Sequence, residues 1–197
     1  MKVVCLASGG IDSSVLMFML KKSNHEVFPL HVNYGQKAEK MELKSTQKVC
    51  EILNLSLEVM NIPGLGIISS GLTNSQISAT ENPLFPARNL LLLTIGSSYA
   101  FTKSIKVISI GLLTNPTFPD QTIKFVKSSE TSISDAVGTS MKLLVPFIEL
   151  NKREVVSLAT KYDFPLDLTY SCYEGSEPPC ERCASCQERK KVESLKD

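Results

Sequence analysis

The chain has 197 residues, of which 43% are hydrophobic and 21% are charged, and its formal net charge is +1. This composition is typical of one globular domain whose core needs no disulfide staples. The small net charge argues against an extended nucleic-acid-binding surface, so we expect no nucleic-acid partner. No apolar run approaches the roughly 18 residues of a membrane span, and no signal-peptide pattern opens the chain, so we expect a cytoplasmic protein.

Strand and helix patterns alternate along the chain. The predicted strands cover residues 3–7, 26–32, 57–62, 106–110 and 143–146. The predicted helices cover residues 13–22, 38–53, 88–101, 122–137 and 151–162, and a short polar helix follows near the C-terminus. Strands separated by helices favour parallel pairing, so the sequence predicts an α/β fold with a doubly wound, mostly parallel sheet. Residues 63–86 form a long connection that is either functional or mobile.

The turn Ser8-Gly9-Gly10 lies between the first predicted strand and the first predicted helix. Such a turn directs backbone N–H groups and the positive end of the helix dipole at one point, which suits a phosphate. Ser13 and Ser14 add hydroxyl donors. The pattern lacks the Gly-Lys-Ser/Thr of a Walker loop and the spaced glycines of a dinucleotide fingerprint. The alternative is an ordinary turn that uses glycine only for its geometry.

Several loops are expected to meet at one edge of the sheet. In doubly wound sheets the ligand binds beyond the carboxyl ends of the strands, near the point where the strand order reverses. The segments at this edge are residues 8–10, 31–35, 111–120 and those after Pro146. His31 lies either at the edge of that site or packed within its strand.

Four of the six cysteines crowd near the C-terminus with the spacing C-x7-C-x2-C-x2-C, at Cys172, Cys180, Cys183 and Cys186. Two residues between thiolates allow a turn to present both sulfurs to one tetrahedral ion, so residues 172–186 are predicted to bind structural zinc. An iron–sulfur cluster and thiol chemistry are the alternatives. Cys5 and Cys50 are expected to be small buried apolar residues.

The segment from Ser8 to Ser13 resembles the pyrophosphate loop (PP-loop) of the ATP-pyrophosphatase superfamily. Together with the cysteine spacing, it resembles the 7-cyano-7-deazaguanine (preQ0) synthase family. Four further segments follow in the order typical of that family, namely Tyr34-Gly35-Gln36, Phe85-Pro86-Ala87-Arg88-Asn89, Phe118-Pro119-Asp120 and Asn151-Lys152-Arg153-Glu154. The similarity covers nearly the whole chain, and the order of the motifs carries it.

This resemblance implies an ATP-dependent ligase with an adenine nucleotide α-hydrolase-like fold, in which residues 1–197 form one PP-loop ATPase domain. It would adenylate 7-carboxy-7-deazaguanine, let ammonia displace AMP to give the amide, and use a second ATP to reach the nitrile. The product belongs to queuosine and archaeosine biosynthesis. The resemblance also implies Mg²⁺, structural Zn²⁺ and a homodimer.

The resemblance also implies roles for individual residues. The nucleotide-binding residues would be Ala7, Ser8, Gly9, Gly10, Ile11, Asp12, Ser13, Ser14 and Arg88. The catalytic residues would be Asp12, Ser13 and Lys152, and the substrate-binding residues would be Tyr34, Gln36, Arg88, Asn89 and Asp120. Asp12 would either cap the first helix or hold magnesium, and Lys152 would either neutralise phosphate charge or be solvated. Asp120 would either accept the ring N–H and amino group of the base or form a turn.

The chain departs from the family pattern at four places. Ala87 and Glu181 stand where glycine is usual, Gln121-Thr122 replaces Cys-Arg, and the loop at residues 112–117 is shorter. These departures motivate an alternative, a related ligase that transfers the adenylated acid to another amine, for example on a protein. Two further alternatives are a tRNA thiolase with an iron–sulfur cluster and a non-enzymatic nucleic-acid-binding module built on the cysteines and nearby basic residues.

Overall fold

The computed structural model describes residues 1–113 and 118–193, and its centre is a parallel β-sheet. The strands are β1 (Lys2–Leu6), β2 (Glu26–Asn33), β3 (Glu58–Asn61), β4 (Val107–Ser109) and β5 (Lys142–Leu144). The helices are α1 (Ile11–Lys22), α2 (Glu39–Ile52), α3 (Arg88–Thr102), α4 (Ile123–Val137), α5 (Lys152–Lys161) and α6 (Ala184–Glu193). None of these helices is long and apolar enough to cross a membrane.

The strand order is β3-β2-β1-β4-β5, and each neighbouring pair runs parallel. The chain first builds the sheet from β1 towards β3 and then returns to the other side of β1 with β4. The order therefore reverses beside β1, which places a crevice at its carboxyl end.

Two hydrophobic cores cover the two faces of the sheet. Val3 and Cys5 of β1 face α1, α2 and α5, whereas Val4 and Leu6 face α3 and α4. This alternation follows from the two-residue period of a strand, and both faces of β1 are buried as expected for a central parallel strand. The predicted doubly wound α/β class is confirmed.

Most predicted elements are found, with shifts at their ends. The helix predicted from residue 13 begins at Ile11, because Gly10 is its N-cap and the Ser13 hydroxyl bonds back into the preceding turn. The strand predicted at residues 143–146 is β5, which ends before Pro146, a residue with no N–H to donate to a sheet. Cys5 and Cys50 are buried free thiols, as predicted.

The long connection at residues 63–86 packs over the carboxyl edge of the sheet. It begins with a 3₁₀ helix at Pro63–Ile67. Further along, Leu72 and Phe85 pack against Tyr34, and Ala79 is buried against the cysteine segment. The connection therefore joins the β2 side of the sheet edge to the C-terminal part of the chain.

Candidate active site

The turn after β1 and the start of α1 bring together hydrogen-bond donors that could bind a phosphate. The first helical bond of α1 runs from the Ser14 N–H to the Gly10 carbonyl, at 3.1 Å, and no described side chain caps this helix. The N–H groups of Ile11, Asp12 and Ser13 therefore lack helical acceptors. The hydroxyls of Ser8 and Ser13 lie 3.0 Å apart, so both stand at the same helix end.

Gly9 fixes this turn against α2. Its φ is +71°, and a Cβ atom there would lie 2.9 Å from the Ser45 Cβ and collide with the Glu42 carbonyl oxygen. The Ser45 hydroxyl donates to the Gly9 carbonyl at 3.1 Å. Only glycine combines this backbone conformation with so close an approach, so α2 sets the position of the turn.

Asp12 and Lys152 form an ion pair beside the turn. The Lys152 Nζ donates to the two Asp12 carboxylate oxygens at 2.7 and 2.6 Å and lies 3.4 Å from Glu188 of α6. The Asp12 and Lys152 side chains are 25% and 15% exposed. Burial raises the pKa of Asp12 although Lys152 opposes the shift. Burial disfavours the charged amine, but attraction to Asp12 and Glu188 outweighs it and raises the pKa of Lys152.

This geometry distinguishes between the two roles predicted for Asp12 and the two predicted for Lys152. Asp12 lies in the first turn of α1 while Gly10 is the N-cap, so the capping role is not what the structure shows. Lys152 is not a solvated lysine. It is the first residue of α5, where Asn151 and Glu154 form the predicted capping box. This cap holds the start of α5 and directs Lys152 towards α1.

The β2 side of the edge is built around Gln36. Its Oε1 accepts from the Tyr34 N–H at 2.8 Å, and its Nε2 donates to the Val32 carbonyl at 3.3 Å and to the Glu42 carboxylate at 2.9 Å. Both ends of this amide are therefore engaged within the protein. Nearby, the Nδ1–H of buried His31 donates to the Ala7 carbonyl at 2.9 Å, which ties β2 to the end of β1.

Arg88 lies between two tyrosines on this side. Burial raises the pKa of Tyr34 to about 12, although the positive charge of Arg88 opposes the shift. Burial also raises the pKa of Tyr173, and Arg88 again opposes the shift. The Tyr34 ring contacts Phe85 edge-on at 5.4 Å between centroids. The planar groups of Tyr34, Arg88 and Tyr173 suit an aromatic ligand.

Asp120 and Asn89 meet at the start of α3. The Asp120 carboxylate accepts the Asn89 N–H at 3.3 Å, and the Asn89 amide donates to the Asp120 carbonyl at the same distance. Asp120 therefore holds the first turn of α3. The neighbouring residues 114–117, which belong to the shortened loop, lie outside the described residues.

A cavity of about 360 Å³ opens at the carboxyl ends of β1, β2 and β4. The predicted site residues that line it are Ala7, Ser8, Gly10, Ile11, Asp12, Ser13, Tyr34, Gln36, Arg88, Asn89 and Lys152. Within the described ranges, Gly9, Ser14 and Asp120 lie outside the lining. The volume is that of a small-molecule site.

Sequence reasoning missed several residues of this cavity. Glu42, Tyr173 and Glu188 line it, together with Ser185 of α6. Glu42 lies in a highly charged helix, where nothing in the pattern distinguishes it from the solvated glutamates. Tyr173 follows Cys172 directly, so its place beside the cysteines is the one signal that sequence offered. The C-terminal segment thus forms one wall of the cavity.

The four predicted cysteines converge on one point. The sulfurs of Cys172, Cys180, Cys183 and Cys186 all lie within 4.8 Å of one another. Burial of Cys172 is outweighed by hydrogen bonds from the Cys180 N–H and the Ser176 hydroxyl, which lower the pKa of that thiol to about 6. A tetrahedral ion with metal–sulfur bonds of about 2.3 Å needs sulfurs about 3.8 Å apart. The cluster therefore fits a single metal ion.

Comparison with known proteins gives a consistent result. The model of the family described as queuosine biosynthesis protein QueC matches residues 2–194. A 7-cyano-7-deazaguanine synthase 1 of Desulfitobacterium hafniense is 34% identical over 206 residues, covering 98% of this chain and 92% of the relative. A 7-cyano-7-deazaguanine synthase of Nautilia profundicola is 31% identical over 204 residues, covering 96% and 92%. A 4-thiouridine synthetase–RNA complex with bound ATP has a TM-score of 0.61 at 17% identity, covering 98% of this chain and 50% of that one.

The parallel sheet, the turn after β1 and the four cysteines define an α/β protein of the PP-loop class, and the structural neighbour shares this fold. The family match spans nearly the whole chain, so this chain belongs to the family described as queuosine biosynthesis protein QueC. The resemblance read from the order of the motifs is confirmed. The relatives carry the names of synthases, which makes this chain an enzyme of the synthase or ligase kind.

Proposed function

We propose that this protein converts 7-carboxy-7-deazaguanine and ammonia to 7-cyano-7-deazaguanine at the expense of ATP. One observation carries the proposal. The uncapped start of α1 and the Asp12–Lys152 pair open into a single cavity, in a chain more than 30% identical to proteins named for that product. The cavity is also lined by Tyr34, Arg88 and Tyr173, whose planar side chains suit a fused-ring base.

In the first stage, a carboxylate oxygen of the acid attacks the α-phosphorus of ATP, and pyrophosphate leaves. The free N–H groups at the start of α1, with the Ser8 and Ser13 hydroxyls, stabilise the charge that develops on pyrophosphate. Ammonia then adds to the acyl carbon, and AMP departs with the former carboxylate oxygen. Loss of a proton gives the amide.

In the second stage, the amide oxygen attacks the α-phosphorus of another ATP, and pyrophosphate again leaves. The amide nitrogen loses its two protons, AMP departs with the oxygen, and the nitrile remains. Both stages need the same groups around the α-phosphorus. One arrangement of Asp12, Ser13 and Lys152 therefore serves the whole sequence.

Lys152 would exchange partners when ATP binds. In the structure, its amine is neutralised by Asp12 and Glu188. The phosphates of ATP carry more negative charge than these carboxylates and would attract the amine away from Asp12. Asp12 is then free to hold Mg²⁺, whose preferred ligands are carboxylate and phosphate oxygens. The ion would supply charge neutralisation at the phosphates.

The cysteine cluster supports structural zinc as the resident metal. Four thiolates leave no open position on a tetrahedral ion, which is typical of a structural site. The sulfurs are close enough for one ion, whereas an iron–sulfur cluster spreads its ligands around several metal atoms. We further propose that residues 1–197 act as one domain, and we retain the predictions of a homodimer and a cytoplasmic location.

The test is release of AMP and pyrophosphate from Mg-ATP by the zinc-loaded protein supplied with 7-carboxy-7-deazaguanine, with and without ammonium. Ammonium-dependent turnover, a product with the mass of the nitrile and two AMP per nitrile are expected. Adenylation of the acid with no ammonia-derived product would instead favour transfer to another amine. No AMP release with this acid would contradict the proposal.

A further inference from the structure

Glu42 is a carboxylate that lines the cavity and is held by a neutral side chain. Asp12, Glu42 and Glu188 are the carboxylates that line the cavity within residues 1–113 and 118–193, and Asp12 and Glu188 share Lys152. Glu42 forms no ion pair in the described part of the chain. Its one side-chain bond there is to the Gln36 amide, at 2.9 Å. It therefore faces the cavity with acceptor capacity to spare.

The carboxylate of Glu42 is held in a fixed orientation. Gln36, which donates to it, is anchored by the Tyr34 N–H and the Val32 carbonyl. Burial raises the pKa of Glu42, although the hydrogen bond from Gln36 and the positive charge of Arg88 oppose the shift. A partly buried carboxylate with few donors is costly, and donors supplied by a ligand would remove that cost.

The chemistry of a carboxylate selects one kind of base edge. An ionised carboxylate only accepts hydrogen bonds, and each of its oxygens has two lone pairs, so Glu42 can keep Gln36 and still accept from a ligand. A guanine-type base presents a ring N–H next to an amino group, which are two adjacent donors. The corresponding edge of adenine presents an amino group next to a bare ring nitrogen, and that nitrogen repels a carboxylate.

Asp120, which the resemblance suggested for this task, is occupied elsewhere. Its carboxylate accepts the Asn89 N–H at the start of α3, and it lies outside the described lining of the cavity. Glu42, by contrast, lines the cavity and is joined through Gln36 to the backbone of Tyr34, whose side chain lines the same cavity with Arg88 and Tyr173. A base bound against Tyr34 would therefore lie near Glu42.

We propose that Glu42 accepts the paired ring N–H and amino donors of the guanine-type base, and so determines which base the cavity binds. The identity of that base rests on the proposed function. The role assigned to Glu42 is specificity, since its carboxylate would recognise the base rather than the phosphates.

The test uses Glu42→Gln and equilibrium binding of 7-carboxy-7-deazaguanine, measured by calorimetry. In this variant the amide oxygen can still accept from Gln36, so the amide NH₂ turns towards the cavity, where it opposes the donors of the base. We expect affinity for the acid to fall about 10- to 100-fold, as for hydrogen bonds to a charged group. Affinity for ATP should change less than about threefold, because adenine lacks the paired donors.

An analogue of the acid without its amino group makes the test specific. In the wild-type protein this analogue should bind about tenfold more weakly than the acid, whereas in Glu42→Gln the difference should fall below about threefold. Glu42→Asp, which retains a carboxylate, should keep the discrimination. Glu51→Gln, the same charge change at an exposed position of α2, is the matched control.

Three outcomes would overturn the inference. These are equal binding of acid and analogue by the wild-type protein, a loss confined to ATP in Glu42→Gln, and loss of discrimination in Asp120→Asn but not in Glu42→Gln. The first outcome needs no variant, so it holds even if a substitution disturbs folding. Binding is measured without turnover, so the two proposals can fail independently. Failure of nitrile synthesis would contradict the proposed function but would not change the interpretation of the binding data.

Discussion

At the scale of single residues, two departures from the family pattern are informative. Ala87 and Glu181 stand where the family usually has glycine, and their φ values are +55° and +57°. Both residues therefore adopt the left-handed conformation that costs a residue with a Cβ atom roughly 1–2 kcal/mol. This backbone conformation favours glycine, and the chain adopts it here with alanine and glutamate.

We expect Ala87→Gly to stabilise the protein by about 0.5–1 kcal/mol, because relief of the left-handed strain exceeds the entropy that glycine loses on folding. Thermal unfolding would then shift upwards by about 1–4 °C for a chain of this size. The control is Ser98→Gly in the interior of α3, the helix whose N-cap is Ala87. Ser98 has ordinary helical geometry, so this substitution should lower stability instead. A fall in the unfolding temperature of Ala87→Gly would contradict this account. Glu181→Gly is expected to behave like Ala87→Gly.

At the scale of elements, the functional unit is the meeting of two helix N-termini. The start of α1 supplies free N–H groups, and the start of α5 supplies Lys152, which reaches across to Asp12. The capping box of α5 was predictable because it lies within four consecutive residues. The ion pair was not predictable from spacing, because 140 positions separate its partners, and the family resemblance alone suggested that both residues belong to the site.

The substitution Lys152→Ala tests this meeting of helices. We expect adenylation, measured as pyrophosphate release, to fall about 100- to 1,000-fold, as when one charge-stabilising donor is removed from an active site. Stability should also fall, because the partly buried Asp12 carboxylate would lose its partner. Lys161→Ala, at the exposed end of the same helix, is the control for loss of a lysine. Full pyrophosphate release by a folded Lys152→Ala protein would exclude the role assigned to Lys152.

At the scale of the whole molecule, the cysteine segment is part of the site. Glu174 lies two residues after Cys172 and accepts from the Lys37 amine at 2.6 Å and from the Ala79 N–H at 2.8 Å. Lys37 also donates to the Ile77 carbonyl at 3.0 Å. Attraction of these donors outweighs burial and lowers the pKa of Glu174. The segment thereby holds the connection at residues 63–86, while Tyr173 and Glu188 line the cavity.

The sequence predicted the parts of this assembly better than their contacts. The strand–helix alternation, the turn after β1 and the cysteine spacing are local patterns, and each was found in the structure. The role of residues 63–86 was left open between function and mobility, because its anchors at Lys37 and Glu174 lie outside it in the chain. Glu42 was missed for a different reason, since nothing in the charged sequence of α2 distinguishes it from the exposed glutamates of that helix.

Removal of the metal should therefore loosen two distant segments together. The free energy of metal binding at a thiolate site contributes directly to folding, so chelation is expected to release residues 172–193. The Glu174 contacts would be lost with them, so residues 63–86 should be released as well. Limited proteolysis followed by mass spectrometry should detect new cleavage in both ranges, with loss of binding of 7-carboxy-7-deazaguanine. Cys180→Ser should reproduce this pattern and lower the metal content, whereas Cys50→Ser should leave the metal in place.

Lys37→Met tests the two segments separately, because it removes the Lys37 contacts that hold residues 63–86 without changing a metal ligand. We expect this variant to retain its metal and an intact cysteine segment but to be cleaved within residues 63–86. If chelation exposed residues 172–193 alone, the metal site would stabilise only its own segment. Joint exposure would mean that one metal ion organises both segments, because residues 63–86 pack on Tyr34 and the cysteine segment supplies Tyr173 to the same hydrophobic cluster.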